Sequence, residues 1–195
     1  NKIVKSYRNL PLRLAEAGVV YRNELSGVTY GLMRVRHIMQ NDAHIYTPAD
    51  QLKDEFIKVL EMFDEVYKVM GIKDYYFRLS LPDFKGNSDK YTGDPKEWEH
   101  ASEEIRKAMK EWGKKFTEEK GEAAFYGHKI DVQIKNANGK EETIATSQVD
   151  IVIPKRLNLT YTDEKGDKKY PIIIHRAILG SYERFVAYLL EQTEG

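Results

Sequence analysis

The chain has 195 residues, enough for one ordinary domain with its own core. Its 31 Lys and Arg balance 31 Asp and Glu, so no global basic field draws it to nucleic acid, and any such contact must be a local patch. The absence of cysteine excludes a disulfide framework and thiolate chemistry, and no apolar run reaches membrane-spanning length.

No signal-like apolar segment opens the chain, and a cytoplasmic protein is the expectation. It begins at Asn1 without a methionine, which reads as a piece of a longer protein. Residues 1–17 are expected to form a short helical or looped lead-in, interrupted at Pro11. GVVYRNE then reads as a strand, SGVTYG as a loop and LMRVRHIMQNDAHIY as the antiparallel return. Thr47, Pro48 and Asp50 supply an N-cap, a proline at N1 and an acid at N3. The helix they open, to about Met70, repeats Leu52, Phe56, Val59, Leu60, Phe63, Val66 and Tyr67 at helical spacing, with Gly71 as its stop.

YYFRLSL is the next strand, and PDFKGNSDKYTG a loop. Asp94 and Pro95 repeat the capping pattern and open a second helix to about Gly113, whose many charges mark a solvated face. KIDVQI, ATSQVDIVI and YPIIIH are further strands, with NANGKEE and TDEKGDKK as hairpin turns. A last helix is expected from about Ala177 to Glu191. Long hairpins with inserted helices predict an α+β fold built on a largely antiparallel β-sheet flanked by helices.

Two stretches carry chemistry. On a strand running from Arg34, period-two alternation puts Arg34, Arg36, Ile38, Gln40, Asp42 and His44 on one face, with Arg22 and Glu24 on the preceding strand. Guanidinium groups suit phosphates, a carboxylate suits an ammonium, and an imidazole suits a metal. The set therefore favours a nucleotide or phosphorylated ligand lying on the sheet, the plainer alternative being an edge strand with a wet face. In HRAILGSYERF, His175 ends a strand of isoleucines, and Gly180 and Arg184 are read as one face of the last helix. Plainer readings pair Arg184 with Glu183 or a neighbouring acid and make His175 a satisfied strand-end histidine. GxxxxGK[ST] and GxGxxG are both absent.

YRNELSGVTYGLMRVRHIMQNDAHI resembles motif 2 of the class II aminoacyl-tRNA synthetases in its threonyl wording, and HRAILGSYERF resembles motif 3. GEAAFYGHKID and SQVD resemble the blocks between them, so the likeness spans essentially the whole chain. It implies a class II synthetase-like catalytic core, incomplete at the N-terminus, with motif 2 over about 20–46 and motif 3 over about 171–191, and without editing or anticodon-binding domains. The implied activity is that of a threonine–tRNA ligase, which activates threonine with ATP to threonyl-adenylate and transfers it to tRNA(Thr). This chain alone is expected to be weakly active or inactive, the alternative being an inactive synthetase-like domain that binds nucleotide, amino acid or a partner protein.

The resemblance assigns ATP to Arg22, Glu24, Arg34, Ile38, Thr143 and Arg184, with Arg22 and Arg184 as the catalytic cations. It assigns threonine to Gln40, Asp42, Tyr126, Lys129, Gln148 and Ser181, and a zinc ion to His44 and His175. Magnesium accompanies ATP, and the family works as a homodimer. An open-coordination zinc that takes both the amine and the hydroxyl of threonine rejects the isosteric valine. The sequence departs from the family pattern at several points. The third zinc ligand, a cysteine upstream of KSYRNLPLR in the family, is not in this chain, and Ile38 replaces the aromatic that stacks on adenine. Thr143 stands where a glutamine is usual, and His128 where a proline is usual.

Overall fold

The computed structural model describes residues 5–136 and 138–193. Residues 1–4 of the expected lead-in, and Ala137 in the NANGKEE turn, lie outside them. The strands are β1 (Lys5–Ser6), β2 (Leu12–Tyr21), β3 (His37–Thr47), β4 (Tyr75–Leu81), β5 (Phe116–Lys120), β6 (Gly127–Lys135), β7 (Glu141–Asp150), β8 (Tyr161–Thr162), β9 (Lys168–Lys169) and β10 (Ile172–Ser181). The helices are α1 (Leu52–Val69), α2 (Pro95–Trp112), α3 (Ile153–Arg156) and α4 (Tyr182–Thr193). Seven strands form one sheet in the order β2-β3-β10-β7-β6-β4-β5, while β1, β8 and β9 make a small second sheet. Every neighbouring pair of the large sheet is antiparallel except β4 and β5.

One face of this sheet is buried under α1 and α2. Phe56, Val59, Leu60, Phe63 and Tyr67 of α1 pack with Trp98, Ile105 and Met109 of α2 against Ile174, Val149, Ile130, Val132, Phe77 and Leu79. Each of these large side chains contributes roughly 1.5–3 kcal/mol on burial. Val66, expected in the α1 stripe, is only partly buried. Glu55 takes part in that stripe, buried, with its charge met by Arg13 of β2 (Nη2 to Oε1 2.6 Å, Nε to Oε2 2.8 Å) and by Lys58 (2.7 Å). These partners hold the Glu55 carboxyl below its usual pKa although burial alone would raise it.

Asp94 caps α2 by accepting from Lys96 N, with Pro95 at the first position and left-handed Gly113 beyond the end, as its sequence predicts. The Thr47 cap does not form. Thr47 is the last residue of β3, fully buried, and its hydroxyl donates to Pro48 O; a 3₁₀ turn over Ala49–Gln51 leads into α1.

Three further expectations are corrected, and one strand is added. The lead-in is not helical or looped beyond Pro11: LRLAEA belongs to β2, an edge strand largely exposed on both faces, so its composition carries no strand-like alternation. The return strand begins at His37, not Leu32, because a tight Tyr30–Arg34 bridge holds the preceding turn. β5, with the sequence FTEEK, escapes the hydrophobic pattern because it lies exposed at the other edge. Finally, Ala177–Ser181 continues β10 and the helix begins only at Tyr182. Gly180 therefore does not share a helix face with Arg184; it sits at a register shift in β10, with φ +63°.

A Cβ at Gly180 would collide with the Ile144 carbonyl of the neighbouring strand, in a backbone conformation that L side chains resist. Gly180→Ala is therefore expected to lower unfolding stability by more than ~2 kcal/mol in urea titration, with the transition still cooperative.

Candidate functional site

The face of the sheet away from α1 and α2 carries the polar side chains in rows that cross the strands. His44, His175, Gln148, Lys129 and Ser80 stand in register on β3, β10, β7, β6 and β4. The adjacent row is Asp42, Ala177, Thr146, Asp131 and Arg78, with Glu16 of β2 opposite Asp42. Within β3 the alternation is as the sequence implies: Ala43, Ile45 and Thr47 are buried on the helix side, and Gln40, Asp42 and His44 face the other way. Arg34 and Arg36 precede the strand, so that alternation does not govern them.

The two imidazoles are direct cross-strand neighbours, their ring centroids 4.7 Å apart at an interplanar angle of 82°. His44 Nε2 lies 3.8 Å from Asp42 Oδ2, and His175 Nε2 is 3.1 Å from Asp150 Oδ2. Tyr126 packs its ring 5.8 Å from His175 and donates its hydroxyl to Gln148 Oε1. Burial first, then the Asp150 and Asp42 carboxylates, raise the Tyr126 pKa, so the phenol stays a neutral donor. Lys129 Nζ lies 3.1 Å from Asp131, a fully buried carboxylate that also accepts from Ser80 and Thr146 hydroxyls, each at 3.1 Å. Among the described residues, no group of three or more His, Cys, Asp or Glu is arranged to hold a metal ion.

Beside this patch, Arg22, Ile38, Gln40, Thr143, Ser181 and Arg184 line one pocket with Thr146, Ala177 and Gly180. Arg184 is fixed by its own bonds: Nε donates to Met33 O at 3.1 Å and Nη1 to Thr143 O at 3.2 Å. Ser181 caps the turn beneath it, its hydroxyl accepting from Arg184 N. Burial, then repulsion from Arg22, lowers the Arg184 pKa, with Arg34 adding to the repulsion. Arg22 and Arg184 thus line one pocket and Arg34 the cleft beside it, and an anion there would relieve the repulsion on Arg184. Arg184 does not pair with Glu183, whose carboxylate accepts from Met39 N at 3.1 Å and anchors α4 to β3.

Arg22 and Glu24 lie just past the end of β2, where Arg22 N still bonds Arg36 O at 2.8 Å. Glu24 pairs with Arg34 at 3.0 Å, and Arg34 lines a neighbouring cleft with Thr143 and Arg184. Ile38 is buried at the pocket wall. The fourteen residues that the resemblance assigns to ATP, threonine or zinc thus lie on or beside one sheet face. A roomier apolar cleft between the starts of α1 and α2 gathers none of them.

Asp150, Asp131 and Thr146, which the sequence does not single out, also shape the site, as does Glu183 in a contact the sequence does not suggest. Asp150 was recoverable, since it follows Gln148 at strand spacing. Asp131 stands two residues after Lys129 in the same way. The Glu183 contact with Met39 N has no signal in the sequence, because it reaches across 144 residues.

His128, at the position where the resemblance leads to a proline, points to the helix side. It is fully buried, its Nε2 2.7 Å from Ser102 Oγ and its ring against Trp98. Burial, then Arg106, lowers its pKa to about 3.

The chain belongs to the family of tRNA synthetase class II core domains (G, H, P, S and T), whose model matches residues 1–193. Its curated relatives include the threonine–tRNA ligases of Listeria welshimeri, 51% identical, and Bacillus subtilis, 47% identical, each over 98% of this chain and 30% of the relative. The chain thus spans about a third of the length of the relatives it matches. A solved structure of the RNA binding domain of threonyl-tRNA synthetase from Cryptosporidium parvum superposes with a TM-score of 0.88 at 38% identity, covering 98% of this chain and 47% of that one. A threonyl-tRNA synthetase structure from Aeropyrum pernix, described as putative, gives 0.81 at 35% identity, covering 95% and 43%. The expected class II fold is thereby established. Among the described residues no helix is long and apolar enough to cross a membrane.

The depressed His128 pKa has a definite sign. The unfolded chain takes up a proton near pH 6.5 that the folded chain refuses until about pH 3. Stability from this residue is therefore full above 6.5 and falls by up to ~1.4 kcal/mol per pH unit below it. Chemical denaturation across that range is expected to show a shallower acid loss in His128→Gln, which keeps a partner for Ser102.

Proposed function

We propose that the chain is the amino-acid-activating core of a threonine–tRNA ligase, joining threonine to ATP and passing the threonyl group to tRNA(Thr). The observation that carries this reading is the juxtaposition of Arg22, Arg34 and Arg184 with the His44–His175 pair on one sheet face. The triphosphate would lie among the guanidinium groups, with Ile38 and Thr143 along the nucleotide and Glu24 at its adenine edge. Threonine would occupy the patch beside it, its ammonium near Asp42 and its remaining polar atoms within reach of Gln40, Tyr126, Gln148, Lys129 and Ser181.

This arrangement has no side-chain nucleophile in its chemistry. The threonine carboxylate attacks the α-phosphorus in line, and pyrophosphate leaves. Arg22 stabilises charge building on the α-phosphoryl oxygens, and Arg184, rigidly held by two carbonyls, receives the departing phosphates. Magnesium bound with ATP would neutralise the rest.

The zinc reading fits the donor set in part. His44 and His175 are adjacent, and His175 has a buried carboxylate behind it, as metal-binding histidines usually do. A zinc ion held there would select for an amine with a neighbouring hydroxyl; the two imidazoles supply only two of the three protein ligands that such a site needs. In keeping with the family, the whole protein would act as a homodimer in the cytoplasm.

The test is threonine-dependent ATP–pyrophosphate exchange, measured on this chain and on the complete product of its gene. Arg22→Ala in the complete protein is expected to lower exchange by about 100-fold or more, with little change in threonine binding. Absence of exchange in the unmodified complete protein would overturn the enzyme reading. ATP binding without adenylate would select a non-catalytic domain instead.

A further inference from the structure

Asp150 is the last residue of β7 and has no accessible surface. Each of its oxygens has a defined task. Oδ1 accepts from two main-chain donors, Val152 N and Ile153 N, both at 2.9 Å. Oδ2 faces His175 Nε2 at 3.1 Å, diagonally across the β7–β10 pair, where Asp150 is in register with Ile173. The turn into α3 therefore locks the carboxylate in one orientation. The carboxylate in turn presents an acceptor, and only an acceptor, to one ring nitrogen of one histidine.

We propose that Asp150 is a positioning residue that holds neutral His175 as its Nε2–H tautomer, leaving the Nδ1 lone pair free on the ring that abuts His44. A neutral imidazole carries one proton, so satisfying Oδ2 from Nε2 strips Nδ1 of hydrogen. The unprotonated nitrogen is the one that can ligate. Its use rests on the zinc reading above, but the tautomer itself does not.

This assignment distinguishes Asp150 from a residue that merely caps α3. Asp150→Asn keeps the shape and the Oδ1 contacts. Because Val152 N and Ile153 N both require an acceptor, the amide oxygen must stay on their side, and the new NH₂ group must face His175. Nε2 can meet that group only as an acceptor, so the ring proton moves to Nδ1 and closes the ligand position. The same substitution logic disables a catalytic histidine held by aspartate in serine proteases.

The experiment is two-bond ¹H–¹⁵N correlation spectroscopy of the chain with its five histidines labelled, at a pH near ~8 where an ordinary imidazole is neutral. The unmodified chain is expected to show His175 as the Nε2–H tautomer and Asp150→Asn as the Nδ1–H tautomer, with His44 unchanged. Zinc affinity, by competition with a chromophoric chelator, is expected to fall about 10–100-fold in Asp150→Asn.

An Nδ1–H tautomer in the unmodified chain overturns the proposal, and that measurement needs no variant to fold. So does a tautomer unmoved by Asp150→Asn. If the tautomer switches while the unmodified chain binds zinc no better than His44→Ala, the positioning role stands and the zinc reading falls.

Discussion

The site depends on the registry of β3 against β10. Pairing His44 directly with His175 puts two imidazoles in edge contact, and with the register fixed there every other row follows from the pleat. A slip of one residue would send His44, Asp42 and Gln40 into the hydrophobic face and bring Ala43 and Ile45 out. The large cost of exposing that face is what holds the polar groups where they are. Burial of Ile174, Val149 and Ile45 against α1 therefore enforces the geometry of a site on the opposite side of the sheet.

Two kinds of electrostatic order meet on that surface. At one end Arg184, the most buried of the cations there, has its charge disfavoured by burial and by the nearby Arg22 and Arg34, and it is held in place by two backbone carbonyls. Such a cluster stores repulsion that a polyanion relieves. At the other end, buried carboxylates are committed to partners: Asp131 to Lys129, Ser80 and Thr146, Asp150 to His175 and two amides. These contacts stiffen side chains that face outward, which is how a site built on flat sheet achieves fixed geometry without a deep cavity.

Much of this was legible in the chain itself. The α1 stripe, the Asp94–Pro95 start of α2, the YYFRLSL strand and the two hairpin turns follow from periodicity and capping chemistry. Two of the strands that the pattern does not reveal share one cause. β2 and β5 are the two edges of the sheet, where neither face needs to be apolar, so LRLAEA and FTEEK carry no alternation. AILGS, expected to open the last helix, instead continues β10, where Ala177 pairs with both neighbouring strands, Ser181 pairs with Gln40, and Gly180 takes a left-handed conformation against Ile144 O, a close approach invisible in one dimension.

By itself the sequence determined which residue types face one another along a strand, since a period of two is a local property of the backbone. It also determined the motif wording that ties the chain to its family. Only the tertiary structure decided which strands lie side by side, and with that the pairing of His44 with His175, the convergence of Arg22 with Arg184, and the buried acids that brace them. Those contacts join positions more than a hundred residues apart or sit behind the site as its support. They arise because strands adjacent in the sheet are set by which faces can be buried together, not by their order along the chain.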